Sequence, residues 1–146
     1  MIVKQILAMK AGPDEIVTVS PDLSIAEAAA ILSKRRIGAV VVSTDGKTPA
    51  GILSERDIVR EIGAQGAAVL DRKVSDLMTA KVLTCSGGDH VRDVLARMTD
   101  GRFRHMPVVD DAGAMLGVIS IGDAVSARLK QLASDRDALQ GMIMGA

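Results

Sequence analysis

Aromatic residues are almost missing from this chain. It has no tryptophan and no tyrosine, and Phe103 is its only phenylalanine. Proteins that hold single-stranded nucleic acid stack bases on aromatic side chains. The 18 basic residues are balanced by 18 acidic ones, so no net positive field attracts a polyanion. The composition argues against nucleic-acid binding, and a bound base must rest on aliphatic walls and backbone groups.

Cysteine and histidine are also scarce, with Cys85 as the only cysteine and two histidines. A single cysteine excludes an internal disulfide, and a small buried thiol in a strand is its plainest interpretation. The chain shows no Cys/His or Ser/His pairing with supporting spacing and too few ligands for a metal cluster. We therefore predict a protein that is not an enzyme and has no catalytic cofactor or metal.

Long apolar runs are absent as well. Hydrophobic residues make up 48% of the chain, yet no window approaches the roughly 18 apolar residues of a membrane span. The first residues, Met1 to Leu7, lack the features of a signal peptide. The sequence predicts a cytoplasmic protein that does not bind membranes.

What the chain does contain is a tandem repeat with a displacement of 66 residues. Positions 18–61 and 84–127 align without a gap and share ten identities, among them Gly51/Gly117, Ser54/Ser120 and Asp57/Asp123. Upstream, Val3 to Leu7 resembles Val74 to Met78, with five extra residues in the first copy. A repeat of this length is typical of a supersecondary unit that buries its apolar face against a second copy.

Each copy predicts a strand–helix–strand–strand–helix unit. In the first copy the strands are 16–19, 37–42 and 50–53, and the helices run from the cap residue Ser24 to about Arg36 and over 55–62. The predicted fold class is α+β or α/β, with two βαββα repeats packed by a pseudo-twofold into one compact module. We divide the chain into 1–66 (first repeat, with an N-terminal helix), 67–130 (second repeat) and 131–146 (helical tail). The apolar edge of the tail favours a homodimer.

A seven-residue motif recurs at the end of each copy: Gly, two apolar residues, Ser, two variable residues and Asp, at Gly51–Asp57 and Gly117–Asp123. The simplest interpretation is a capping box, in which serine and aspartate satisfy free N–H groups at a helix start. A ligand-binding role is compatible with capping, and the recurrence of the motif favours it.

These motifs, together with the segment from Arg104 to Asp123, resemble a CBS-domain pair over residues 1 to about 130. The family is named after cystathionine β-synthase. The resemblance implies binding of an adenosine nucleotide (AMP, ADP, ATP or NAD) between the two repeats, and assembly into flat dimers. It also places Thr18 and Thr84 beside the nucleotide.

Within that resemblance, the carboxylates of Asp57 and Asp123 suit the two hydroxyls of a ribose, and Ser54 and Ser120 can bond ribose or phosphate. The helix N-termini that follow favour phosphate. Arg56 and Lys10 are further candidates, with a solvated surface position as the alternative for each.

The two copies differ in charge just before their second strand. The first copy has Ile37, Gly38 and Ala39, whereas the second has Phe103, Arg104 and His105 followed by Met106 and Pro107. The resemblance implies that all of these except Phe103 belong to the nucleotide-binding residues. The resemblance implies that Arg104 and His105 contact phosphates, while Arg102 equally suits a solvated turn. We expect one occupied site or two unequal ones. The predicted function is a regulatory nucleotide sensor acting in trans on another protein, and the alternative is an interaction subunit whose clefts bind nothing.

Overall fold

The computed structural model describes residues 1–10 and 16–144. The helices are α1 (Val3–Met9), α2 (Ile25–Arg35), α3 (Glu55–Gln65), α4 (Val74–Leu77), α5 (Val91–Gly101) and α6 (Ile121–Met144). The strands are β1 (Thr18–Val19), β2 (Ala39–Val42), β3 (Gly51–Ser54), β4 (Cys85–Ser86), β5 (His105–Val109) and β6 (Met115–Ser120), and a 3₁₀ helix covers Ala67–Asp71.

Each repeat forms its own three-stranded mixed sheet, with strand order β1-β2-β3 and β4-β5-β6. β1 is parallel to β2, with Thr18 opposite Val41, and β2 is antiparallel to β3, with Ala39 opposite Ser54. In the second repeat β4 is parallel to β5 in the same way. The predicted βαββα order is confirmed in both repeats.

Apolar strand residues form the cores of the two sheets. Val40, Val42 and Leu53 are buried with residues of α2 and α3 in the first repeat. Met106, Val108 and Ile119 are buried with residues of α5 and α6 in the second. The near-continuous apolar run in β2 is typical of a strand that is covered on both faces.

The described residues group into two compact units. The first unit holds 16–83 with 111–116, and the second unit holds 1–10, 84–110 and 117–144. Helix α1 belongs to the second unit, where Val3 and Ile6 lie in the core, whereas α4 places Val74 and Leu77 in the core of the first. This grouping differs from chain order, which assigns the N-terminal helix to the first repeat. The division of the chain into residues 1–66, 67–130 and 131–146 stays a prediction.

Equivalent backbone hydrogen bonds hold the two short helices, α1 and α4. Each repeat presents carbonyl groups at equivalent positions in the turn before α2 or α5. In the second unit, the Val3 N–H donates to the Asp89 carbonyl (2.9 Å) and the Lys4 N–H donates to the Gly87 carbonyl (2.9 Å). In the first unit, the Val74 N–H donates to the Leu23 carbonyl (2.8 Å) and the Ser75 N–H donates to the Pro21 carbonyl (3.0 Å). Each short helix therefore packs on the repeat that it does not directly precede.

Helix α6 continues without a break from the second repeat into the predicted tail. It ends at Met144, and residues 145 and 146 of that tail lie outside the described residues. Only Ala124 and Ala127 are fully buried along it, so its distal half is exposed. None of the helices within 1–10 and 16–144 is long and apolar enough to cross a membrane.

Candidate functional site

The first candidate corner lies where β3 ends at Ser54 and α3 begins. The Ser54 hydroxyl accepts a hydrogen bond from the Asp57 N–H (3.2 Å), and Asp57 Oδ2 accepts from the Ser54 N–H (2.9 Å) and hydroxyl (3.0 Å). The predicted capping box is confirmed. It holds the Asp57 carboxylate in one orientation at the start of the helix.

Several predicted site residues surround this corner. Ala39 pairs with Ser54 across the sheet, and the Glu55 N–H donates to the Gly38 carbonyl (2.9 Å). Thr18 lies on β1 opposite Val41, two residues further along β2 than Ala39. Ile37 precedes Gly38, and both line an open groove of about 590 Å³ between α2 and α3. The Arg56 side chain is exposed on the first turn of α3.

Asp57 also has a cationic partner on its own helix. Arg60 Nη2 donates to Asp57 Oδ1 at 3.0 Å, and the side chains are 65% and 13% exposed, respectively. Arg60 is not among the site residues predicted from the sequence. The spacing of three residues on one helix face is the signal that predicts such a pair.

The second corner repeats the geometry of the first. The Ser120 N–H donates to Asp123 Oδ2 (2.9 Å), and the Asp123 N–H donates to the Ser120 hydroxyl (3.0 Å). The Ile121 N–H donates to the Arg104 carbonyl (2.7 Å), the counterpart of the bond from Glu55 to Gly38. The Arg104 backbone is thereby placed beside the corner, and its side chain is exposed.

Asp123 is paired with a lysine that comes from the N-terminal segment. Lys10 Nζ lies 3.1 Å from Asp123 Oδ2 and donates to the Val118 carbonyl at 2.8 Å. Burial raises the pKa of Asp123, but the bond from the Ser120 N–H and the charge of Lys10 outweigh it, so the pKa falls below its ordinary value. Lys10 is one of the predicted candidates, with a solvated position as the alternative, and in the structure it contacts Asp123.

The remaining predicted residues of the second repeat take different positions. Thr84 precedes β4, and its carbonyl accepts a hydrogen bond from Arg97, whose guanidinium also pairs with Asp89 at 3.1 Å. His105 begins β5 and is half-buried, whereas Met106 and Pro107 are buried. The Met106 side chain is part of the core, so it packs against apolar neighbours.

A model of the CBS domain matches residues 3–64 and 74–130, which together are most of the chain. The chain belongs to the CBS domain family. The matched segments contain both Ser-x-x-Asp corners, and each corner therefore lies in a CBS repeat.

Similar proteins of this family are known from several organisms. A mitochondrial CBS domain-containing protein of Arabidopsis thaliana is 36% identical over 128 residues, which are 85% of this chain and 62% of that protein. A related protein of Methanopyrus kandleri is 30% identical, with 75% of this chain and 56% of that protein covered. The chain thus spans roughly three fifths of the length of these relatives.

Solved structures of CBS-domain proteins share the fold. A CBS-domain-containing protein from Agrobacterium tumefaciens is 44% identical, with a TM-score of 0.80 over 88% of this chain and 99% of that one. A CBS domain protein from Pyrobaculum aerophilum, solved with AMP, is 28% identical, with a TM-score of 0.72 over 84% and 89%. A further CBS domain pair, solved with 5′-methylthioadenosine and S-adenosyl-L-methionine, is 26% identical, with a TM-score of 0.76 over 90% and 98%.

Carboxylates are common in the two CBS repeats, whereas histidine and cysteine are rare. Within the described part of the chain, no group of three or more His, Cys, Asp or Glu side chains is placed to hold a metal ion. Cys85 is a buried free thiol, and burial raises its pKa to about 11. The thiol therefore stays protonated at neutral pH, as expected for a core residue.

Proposed function

We propose that this CBS-domain pair is a regulatory module that binds an adenosine-containing ligand at its Ser-x-x-Asp corners and acts in trans on another protein. The ligands in the two similar structures are AMP, 5′-methylthioadenosine and S-adenosyl-L-methionine, all of which contain adenine bonded to a ribose ring with free 2′ and 3′ hydroxyls. This shared part supports recognition of the ribose and adenine. AMP, ADP, ATP and NAD all carry it.

The observation that carries the proposal is the pair of preset carboxylates. Asp57 and Asp123 are each fixed at a helix start by the backbone N–H of the serine before it. A fixed acceptor loses little conformational freedom when ribose hydroxyls bind, which favours affinity. The positive end of the helix dipole at the same helix start favours a phosphate.

The two corners differ in the cations near them, and we propose unequal affinities. The second corner has the exposed Arg104, with His105 next to it in sequence, whereas the first has Arg56 and the ion-paired Arg60 on α3. Arginine suits a phosphate because its planar guanidinium donates two parallel hydrogen bonds. We therefore assign the tighter nucleotide site to the second repeat.

Calorimetry and thermal unfolding with adenosine, AMP, ATP, NAD and S-adenosyl-L-methionine test the proposal. A ligand present at 100 times its Kd stabilises the fold by about 2.7 kcal/mol. Asp123→Asn and Asp57→Asn each remove a charged acceptor, and we expect affinity at that corner to fall about tenfold or more. Asp93→Asn, on an exposed first-turn carboxylate of α5, is the matched control. No shift with any of the five ligands contradicts the proposal.

A role in assembly is favoured by the exposed apolar face of α6, and we propose that this face packs against a second copy of the chain. Its exposed side chains are Val125, Leu129, Leu132, Leu139 and Ile143. They recur at spacings of three, four and seven residues, which is typical of a helix that packs on another helix.

Sedimentation tests this assembly, and we expect it to show a dimer. Leu139→Glu should weaken the dimer, whereas Ser134→Glu, at an exposed position on another face of the helix, should leave it intact. A monomer at all concentrations contradicts this assembly.

A further inference from the structure

Lys10 joins the N-terminal segment to the second corner at two points. Its Nζ donates to the Val118 carbonyl at 2.8 Å and lies 3.1 Å from Asp123 Oδ2. The side chains of Lys10 and Asp123 are only 35% and 29% exposed, so solvent screens this pair less than a surface pair. The lysine is therefore held in the place where the corner presents its carboxylate.

The acceptor sites of Asp123 are partly occupied by these contacts. A carboxylate has two oxygens with about four lone-pair directions in total. Asp123 Oδ2 already accepts from the Ser120 N–H at 2.9 Å and faces Lys10 Nζ at 3.1 Å. A ribose diol that binds both oxygens of the Asp123 carboxylate needs a free acceptor site on each oxygen. At Oδ2, the Ser120 N–H occupies one acceptor site and Lys10 Nζ occupies the other.

The first corner is arranged differently. The cation at Asp57 is Arg60, which lies on α3 itself and bonds the other oxygen, Oδ1. In the alignment of Val3–Leu7 with Val74–Met78, Lys10 corresponds to Lys81, whose side chain is exposed. Within the described residues, Asp123 is paired with a cation from outside its own helix and Asp57 with one from its own helix, which makes Lys81 a natural control.

We propose that Lys10 is a positioning residue that competes with the ligand's ribose hydroxyls for Asp123 Oδ2, so that ligand binding at the second corner releases the N-terminal segment. This proposal rests on the proposed function, because it requires an adenosine ligand at that corner. Coupling between two binding events is reciprocal. A ligand that displaces Lys10 weakens the docking of α1, and loss of Lys10 strengthens ligand binding.

The test compares Lys10→Met with Lys81→Met in an Asp57→Asn background, so that calorimetry reads the second corner. We expect Lys10→Met to raise the affinity for both adenosine and AMP by about fivefold. Lys81→Met should change either affinity less than twofold. If Lys10 instead binds the phosphate, Lys10→Met lowers the AMP affinity and leaves adenosine unchanged, which overturns the proposal. Equal affinities in Lys10→Met and the background overturn it as well.

Hydrogen exchange supplies a second readout that does not depend on affinity. The Val3 and Lys4 N–H groups, which donate to Asp89 and Gly87, report the docking of α1. Saturating adenosine should speed their exchange several-fold in the background protein and have no such effect in Lys10→Met. If none of the five ligands named above binds either protein, the proposed function itself fails. If they bind but affinity and exchange do not respond to Lys10→Met, only the role of Lys10 fails.

Discussion

Ser54 and Ser120 cap their helices, and this capping is compatible with the proposed ligand contact. Each hydroxyl accepts a hydrogen bond from the backbone N–H three residues later, at 3.2 Å and 3.0 Å. A hydroxyl has a second acceptor site and a rotatable proton, so it can bond a ligand while it caps the helix. Capping therefore explains why serine and aspartate occupy these positions even in a ligand-free repeat.

Asp123→Asn is expected to change how stability depends on pH. The pKa of Asp123 is lower in the folded protein than in the unfolded chain, where it is about 4. The ionised carboxylate therefore stabilises the fold at pH values above about 4. That contribution is lost as the pH falls through the lower folded value. The variant should be less stable than the wild type at pH 7, and the difference should shrink in acid.

Thermal unfolding between neutral pH and about pH 2 measures this difference over the titration range of carboxylates. Asp137→Asn, on the exposed part of the same helix, corrects for the change in net charge. A stability difference that stays constant down to the lowest pH contradicts the role given to the ionised Asp123.

Residue types alone predicted the capping serines and the buried thiol, because both depend on local chemistry. The pairing of Lys10 with Asp123 was not predicted, since the two residues lie 113 positions apart in the chain. Contacts across that distance depend on which element packs where. The alignment of Val3–Leu7 with Val74–Met78 also pairs Lys10 with Lys81, but it does not show which carboxylate either lysine contacts.

Among the elements of the first repeat, two predicted strands are longer than the observed ones. The apolar run 37–42 is a strand only over Ala39–Val42, and 16–19 only over Thr18–Val19. Arg36 ends α2 in the left-handed region (φ 53°), and Ile37 and Gly38 are used to turn the chain before pairing begins opposite Ser54. Apolar composition does not distinguish such a connection from a strand.

Two strand glycines allow the short helices to approach the sheets. A Cβ at Gly51 lies 2.5 Å from Met78 Sδ and 3.1 Å from the Thr79 carbonyl, and one at Gly117 lies 2.8 Å from Leu7 Cδ2. Gly51→Ala should destabilise the protein by about 1–3 kcal/mol because it overpacks a site bounded by backbone. Gly117→Ala should cost less, since the end of the Leu7 side chain can move.

Urea unfolding of the two variants measures these costs. Gly63→Ala is the matched control, because Gly63 lies within α3 and a Cβ there meets nothing within 4 Å. It should stabilise the helix by about 0.5–1 kcal/mol. Equal effects at all three positions contradict the close packing of α1 and α4 on the strands.

At the scale of the whole molecule, the sequence predicted two repeats but not which repeat receives each short helix. The two repeats offer equivalent carbonyl groups in the turns at 21–23 and 87–89, so local bonding chemistry does not distinguish the two choices. Order along the chain favours the nearer repeat, and the structure shows the other arrangement. A choice between equivalent partners depends on the lengths of the connections and on contacts such as the one between Lys10 and Asp123.

This arrangement makes a crossed prediction about stability. Val3 and Val74 are fully buried, in the second and first units respectively. Val3→Ala should destabilise by roughly 1–3 kcal/mol, through lost burial and a cavity, and should speed hydrogen exchange in β4–β6 more than in β1–β3. Val74→Ala should do the reverse, even though Val74 directly precedes the second repeat.

Lys4→Ala and Ser75→Ala, at the exposed neighbouring positions, are controls and should leave both sheets unchanged. If Val3→Ala instead loosens β1–β3, each short helix packs on the repeat that follows it, and Lys10 has no route to Asp123.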